Sequence, residues 1–285
     1  MRRSPVFAGA VVLQALGLPG CGYAQVYLGL DAALSSPYVW RGITRANGWS
    51  AQPEGFLSVR AGGGFLSAGA WASYELGDAG PNDLSDLGPG HAGLAELDYW
   101  GQANWSLGLI QASLGGIRYT FRGTGPTAGR TRADNTTELY VDLRGTSKYI
   151  VAGVALWLDV DRVRGAYIEG SATVPLLANP LAAPFIALIT RAALGYTLGQ
   201  EVNTQDPAQG GYFARAGVTH LDFAVSTDVT LRPLRVPTVL RLEGHVQFST
   251  DNATRPISAR PSDAGRSGKL WAVLSLRLTP GIVSW

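Results

Sequence analysis

Cysteine is all but missing from this 285-residue chain, which holds one, Cys21, alongside three histidines. One thiol cannot make a disulfide within the chain or a thiolate cage for a metal. The histidines, His91, His220 and His245, lack any spacing such as His-x-x-x-His, so no metal or other cofactor is expected. Charge is scarce too, at 15% of residues, and the net +2 is scattered, which leaves no basic footprint for nucleic acid. After residue 25 there is no run of about 18 to 20 apolar residues, which argues against membrane-crossing helices. The chain is rich instead in glycine, with 37, and in Trp and Tyr, with 8 and 11, so its apolar content must be deployed in some other way.

The first segment, MRRSPVFAGAVVLQALGLPGCGYAQ, has two arginines, an apolar stretch from Val6 to Leu18, and small residues near its end. That is the layout of a secretory signal. Cleavage after Ala24 gives a signal peptide over 1–24 and a mature domain over 25–285, and it removes Cys21. The alternative takes Leu18-Pro19-Gly20-Cys21 as a lipobox, with Cys21 acylated and retained.

From Val26 onward, apolar residues alternate with polar or small ones over about ten residues at a time, the period of a strand. Leu221, Phe223, Val225, Thr227, Val229 and Leu231 share one face, with Asp222, Ala224, Ser226, Asp228 and Thr230 on the other. Strands are expected at 26–43, 51–62, 64–76, 94–106, 108–122, 136–146, 149–160, 166–175, 184–198, 212–232, 238–249 and 269–279, the first with a break at Pro37. The piece from Tyr212 to Thr219 reads as an extension beyond the tenth span. Connections alternate between long ones rich in Gly, Pro, Asp and Asn (77–93, 123–135, 199–211, 250–268) and short ones such as Gly62-Gly63-Gly64 and Leu107. Two depart from that pattern, 161–165 being short and 176–183 long.

About twelve such strands define an all-β class, expected as a transmembrane antiparallel up-and-down barrel of about twelve strands, with short turns at the periplasmic end and long loops outside. A soluble β-sandwich, its apolar faces packed on each other, is the competing architecture. The strands are long for a sandwich. Aromatics near strand ends, Tyr74, Tyr99, Trp105, Tyr119, Phe121, Tyr196 and Phe248, suit an interfacial girdle, and Trp285 follows the amphipathic last strand.

One local pattern stands out: Leu34-Ser-Ser-Pro-Tyr38-Val-Trp40-Arg41-Gly42-Ile43-Thr44, followed by strand, glycine turn and strand over Gln52–Glu75 with Gly69-Ala-Trp71-Ala-Ser73. It resembles the opening of the proteobacterial TorF-type porin family, and Gly217-Val-Thr219-His220 is similar to a late strand of that family. The resemblance implies an outer-membrane barrel that forms a pore. The long Gly/Pro loop at 77–93 and the Pro-rich 175–184 connection depart from the family pattern.

If the apolar faces meet lipid, the opposite faces line a lumen, because Arg or Lys on the lipid face costs about 2–4 kcal/mol at the midplane. The candidate pore-lining residues are Arg41, Glu54, Arg60, Glu96, Asp98, Arg118, Arg122, Glu138, Asp142, Arg144, Arg191, Arg241 and Glu243. Such mixed charge can tune the passage of small solutes or ions. It can equally salt-bridge a packed interior with no pore. Arg41-Gly42 has two readings, an arginine reaching into the outer mouth with Tyr38 and Trp40 at the interface, or a glycine-permitted bend whose arginine pairs with a carboxylate. His220, His245, Asp222 and Ser226 are close enough to sketch a hydrolase triad, but no nucleophile signature surrounds them, and no enzyme is expected. A calcium site from Asp78, Asp83 and Asp86 is a weak alternative. The expected setting is the bacterial outer membrane, both termini periplasmic, with its lipids, the barrel-assembly machinery and small solutes or ions as partners.

Overall fold

The structure, a computed structural model, describes residues 26–46, 48–77, 87, 92–122, 135–178, 185–201, 211–213, 215–231, 238–250 and 268–278. The leader at 1–24, the aspartates of the 77–93 loop, His91 and Trp285 lie outside them. The strands are β1 (Val26–Ser36), β2 (Tyr38–Trp40), β3 (Ile43–Ala46), β4 (Ser50–Ala61), β5 (Gly64–Glu75), β6 (Gly93–Leu107), β7 (Ile110–Phe121), β8 (Thr136–Thr146), β9 (Val151–Asp159), β10 (Ala166–Ala178), β11 (Phe185–Leu198), β12 (Gly217–Leu231), β13 (Thr238–Ser249) and β14 (Gly268–Leu278). Twelve of them, β1 and β4–β14, form a closed barrel in sequence order, while β2 and β3 pair only with each other. Every neighbouring pair is antiparallel, and β1 closes on β14 from Leu30↔Leu278 to Ser36↔Ala272. Closure leaves no strand edge unpaired.

Burial is inverted relative to a soluble protein. Leu66 is 54% exposed, whereas Asp98 and Glu138 are 0% exposed. Along β12, Leu221, Phe223 and Val225 face out, and Asp222, Ala224 and Ser226 face in. A sandwich would bury the first set, so this distribution rules that alternative out. Of the girdle aromatics, Tyr74, Tyr99, Trp105, Tyr196 and Phe248 are exposed on the outside.

Two departures from the expected strands matter for function. The first span ends at Ser36 instead of running to 43. Pro37 cannot donate to a ladder, pairing with β4 stops at Ser35↔Ser50, and the chain turns into the barrel as the β2–β3 hairpin. β12 begins only at Gly217, and Tyr212 and Phe213, instead of extending beyond the span, are buried inside. The 160–165 connection is as short as its sequence suggests. It closes on Asp159, whose Oδ1 accepts the backbone N–H groups of Asp161, Val163 and Arg164 at 3.0–3.2 Å. The Pro-containing stretch is shorter than expected, since β10 runs on to Ala178.

A hairpin packed across the lumen as candidate functional site

The hairpin is built on the pattern Tyr38-Val39-Trp40-Arg41-Gly42-Ile43. Trp40 and Ile43 are paired across a two-residue turn, and Arg41 and Gly42 both have positive φ, 48° and 87°. That is the geometry of a type I′ turn, whose twist matches a hairpin and whose second position favours glycine. The structure bears out the bend with its carboxylate-paired arginine, and it also places Arg41 inside the lumen, as the other reading expected. Tyr38 and Trp40 correct the other reading, since they lie inside the barrel and not at a lipid interface.

Arg41 carries the centre of the site. Its Nη1 and Nη2 donate to the two carboxylate oxygens of Glu138 on β8, each at 2.7 Å. Tyr119 on β7 donates its hydroxyl to the same carboxylate at 2.6 Å. The guanidinium also lies over three rings, Tyr167 at 4.2 Å, Trp40 at 4.6 Å and Trp157 at 5.2 Å. Burial alone lowers the Arg41 pKa, but the Glu138 carboxylate together with Tyr119 and Tyr167 outweighs it and the pKa is raised, so the cation is retained. A bidentate pair at this depth is strong only while both partners are present.

The rest of the hairpin is anchored to other parts of the wall. Tyr38 donates to Glu96 on β6 at 3.0 Å and sits against Trp71, with ring centroids 5.8 Å apart. Arg45 lies over Phe121 at 4.4 Å. Ser249 at the end of β13 donates to the Gly42 carbonyl at 2.9 Å. Tyr212 and Phe213 pack on Trp40, with centroids at 4.9 and 6.5 Å. Burial, followed by the Glu138 and Asp159 carboxylates, pushes the Tyr212 phenol well above its usual range, so it stays neutral. Contacts from β5, β6, β7, β8, β9, β10 and β13 thus hold the hairpin inside the barrel at the end that carries the long loops.

Toward the short-turn end the inner wall carries a small polar recess of about 40 Å³ between β8 and β11, lined by residues that include Asp142, Arg144, Trp157, Glu169, Ser171 and Arg191. Arg144 pairs with Asp142 at 2.6 Å and Arg191 with Glu169 at 2.5 Å. On the adjoining stretch of wall, Arg241 on β13 pairs with Asp228 on β12 at 2.5 Å and lies 3.9 Å from Glu243.

Of the candidate pore-lining residues, the inner wall carries Glu54 and Arg60 on β4, Glu96 and Asp98 on β6, Glu138, Asp142 and Arg144 on β8, Arg191 on β11, and Arg241 and Glu243 on β13. Arg41 joins them from the hairpin. Arg118 and Arg122 do not. On β7 it is Ile117, Tyr119 and Phe121 that are buried inside, while Arg118 and Arg122 are exposed. Arg118 donates to Thr137 at 2.8 Å and pairs with Asp161 beside the long-loop rim. Near a strand end an outward arginine costs only about 0–1 kcal/mol, and the inward places are taken by rings that pack on the hairpin. Tyr119 and Phe121, expected in the outer girdle, are corrected for the same reason. Sequence reasoning also missed Trp157, Tyr167, Tyr212 and Phe213 as lumen residues. The one signal in the sequence was a glycine immediately after the arginine in Trp-Arg-Gly-Ile, which is hairpin chemistry.

The histidines are differently engaged. His245 has Asp222 at 3.0 Å from Nδ1 and Glu243 at 2.8 Å from Nε2, so carboxylates occupy both ring nitrogens and neither faces Ser226 as a base. His220 Nδ1 lies 3.0 Å from the Thr219 hydroxyl.

These features define a closed, twelve-stranded, inside-out barrel with a polar inner wall and a hairpin packed inside one end. Residues 22–219 match the family described as "Bacterial protein of unknown function (Gcw_chp)", and the chain belongs to that bacterial family. The match does not carry the TorF-type name. No curated protein matches the chain. Similar solved structures include a bacterial polysaccharide outer-membrane secretin, at 9% identity with 92% of this chain and 99% of that one covered and a TM-score of 0.43. The β domain of the Bordetella autotransporter BrkA shares 13% identity, over 90% and 99% of the two chains, with a TM-score of 0.36. The CymD monoaromatic hydrocarbon channel shares 11%, over 91% and 89%, with a TM-score of 0.33.

Proposed function

We propose that this protein is an outer-membrane channel of the porin type, passing small polar solutes or ions passively, and that the Tyr38–Ala46 hairpin holds it shut at rest. One observation carries the reading: charged and polar side chains line the inside of a barrel whose outside is a continuous belt of Leu, Val, Phe and Tyr. A belt of that extent needs a lipid cover, and a closed sheet is the only strand architecture that can sit in lipid. Export through the cleaved leader, insertion by the barrel-assembly machinery and both termini in the periplasm complete the proposal, with no enzymatic step. The long loops would then face outward, and the hairpin would close the outer mouth.

A second reading, a plugged barrel with a structural or surface-binding role, is favoured by the packing of the hairpin, since Trp40, Arg41 and Tyr38 are all within 5% of full burial. Osmotic swelling of liposomes separates the two. Vesicles holding a folded variant in which residues 37–49 are replaced by a short glycine turn should swell in small sugars and amino acids, faster than those holding the native chain, and lose that permeability as solute size rises. Variant vesicles that swell no faster than empty ones, with folding shown separately, would favour the structural role.

A further inference from the structure

Charge in this barrel is sorted by side. The whole chain has slightly more Lys and Arg, 23, than Asp and Glu, 21, yet among the described side chains of the inner wall carboxylates outnumber arginines. The imbalance is greatest at the long-loop end. Glu75 on β5, Glu96 and Asp98 on β6, Glu138 on β8 and Asp159 on β9 are all buried there. β7 between them turns Arg118 and Arg122 outward, so no described strand residue at that level brings a lysine or arginine inside. The cations that face this acidic crescent come from the hairpin: Arg41, paired with Glu138 at 2.7 Å, and Arg45, buried over Phe121. Two guanidiniums against these carboxylates leave a formal negative excess even with the hairpin seated, and a larger one without it. Ser73, two residues from Glu75 and therefore on the same face, pairs in register with Glu96. It is fully buried, and its hydroxyl has no hydrogen-bond partner among the described residues. Trp157 and Tyr167, over which the Arg41 guanidinium lies at 5.2 and 4.2 Å, belong to the wall and present ring faces suited to a cation.

We propose that, when the hairpin leaves its seat, this crescent becomes the filter of a cation-selective pore: small cations replace Arg41 and Arg45 against the carboxylates, and anions are repelled from the mouth. Constrictions lined by Asp and Glu select cations in this way, and a cleft lined by one sign of charge raises the local counter-ion concentration by about 10- to 1,000-fold. The arginines elsewhere on the wall do not reverse the sign, because Arg144, Arg191 and Arg241 are each matched by a carboxylate, Asp142, Glu169 and Asp228. The inference rests on the channel reading and specifies which ions that channel favours.

The test is the reversal potential across a planar bilayer under a KCl gradient, recorded for the openings of the native chain and for the folded variant in which residues 37–49 are replaced by a short glycine turn. Both should pass potassium over chloride by about tenfold or more. In the opened variant, Glu75→Gln with Glu96→Gln keeps side-chain size, removes two charges of the crescent and should lower that preference severalfold. Arg118→Ala, on the outer face, should leave it unchanged. A conducting barrel that prefers chloride or neither ion, or whose cation preference is undiminished in the double variant, would overturn the inference and leave the channel standing. Should the double variant fail to fold, the sign of the reversal potential in the opened barrel decides alone. A barrel that stays silent with its hairpin replaced contradicts the channel reading itself, and this inference falls with it.

Discussion

Glu138 is fully buried and accepts hydrogen bonds from two arginine nitrogens and a tyrosine hydroxyl. Glu138→Gln keeps its shape and strands the Arg41 charge, so it should lower stability by about 3–5 kcal/mol, read as a fall in the urea midpoint of the barrel in lipid vesicles. Replacing both partners by apolar residues, Arg41→Met with Glu138→Leu, should cost less than Glu138→Gln alone, because no buried charge is orphaned. A double variant worse than the single one would show that the pair is not the main anchor. Tyr212 makes the opposite case. Its buried hydroxyl has no hydrogen-bond partner among the described residues, and an unsatisfied group of this kind costs about 1–3 kcal/mol. Tyr212→Phe should therefore unfold no earlier than the native chain; a clear drop in its midpoint would reveal a partner for the hydroxyl. Neither site is legible by residue type alone. Alternation places Glu138 in the lumen, but its partner comes from a different element, and no local period reports a contact across 97 positions.

The elements are the most legible part, and their reading fails where lumen packing overrides polarity. On β7 the segment Arg118-Tyr119-Thr120-Phe121 alternates cleanly, yet the arginine faces out because the inside at that level is aromatic rather than wet. Arg118→Ala should change stability by no more than about 1 kcal/mol, as for other exposed pairs, while Tyr119→Ala should cost several times that, measured by the same urea midpoints. Equal losses would mean that β7 is turned the other way. The hairpin is hidden for a related reason. The chain from Tyr38 to Thr44 reads as a continuation of the first strand, interrupted by Pro37 and the Arg-Gly turn. A β-branched residue at a φ of 87° is strongly disfavoured, by about 1–2 kcal/mol in the left-handed region. Gly42→Val should raise the population of the displaced hairpin about tenfold. Trypsin reports it directly, since Arg41 and Arg45 are 5% and 1% exposed in the packed state. The variant should be cut at these arginines where the native barrel resists; equal resistance would place the hairpin's hold outside its turn.

At the scale of the whole molecule, the barrel and its strand count come from the alternation of outward Leu and Val with inward Asp, Glu and Ser, repeated twelve times around one closed sheet. What alternation cannot report is whether the enclosed volume is filled, since that depends on where the first long connection goes. Here it goes inward, and Arg41, Tyr38 and Trp40 bind it to the wall. The same packing supports a gated channel and a permanently plugged barrel, and the two behave differently once the plug is removed. Planar-bilayer conductance of the mature chain should be compared with that of a variant in which residues 37–49 are replaced by a short glycine turn, both shown to be folded. The channel account predicts rare, brief openings in the native chain and steady, larger current steps in the variant. Silence from both, or the same conductance with and without the hairpin, would contradict it.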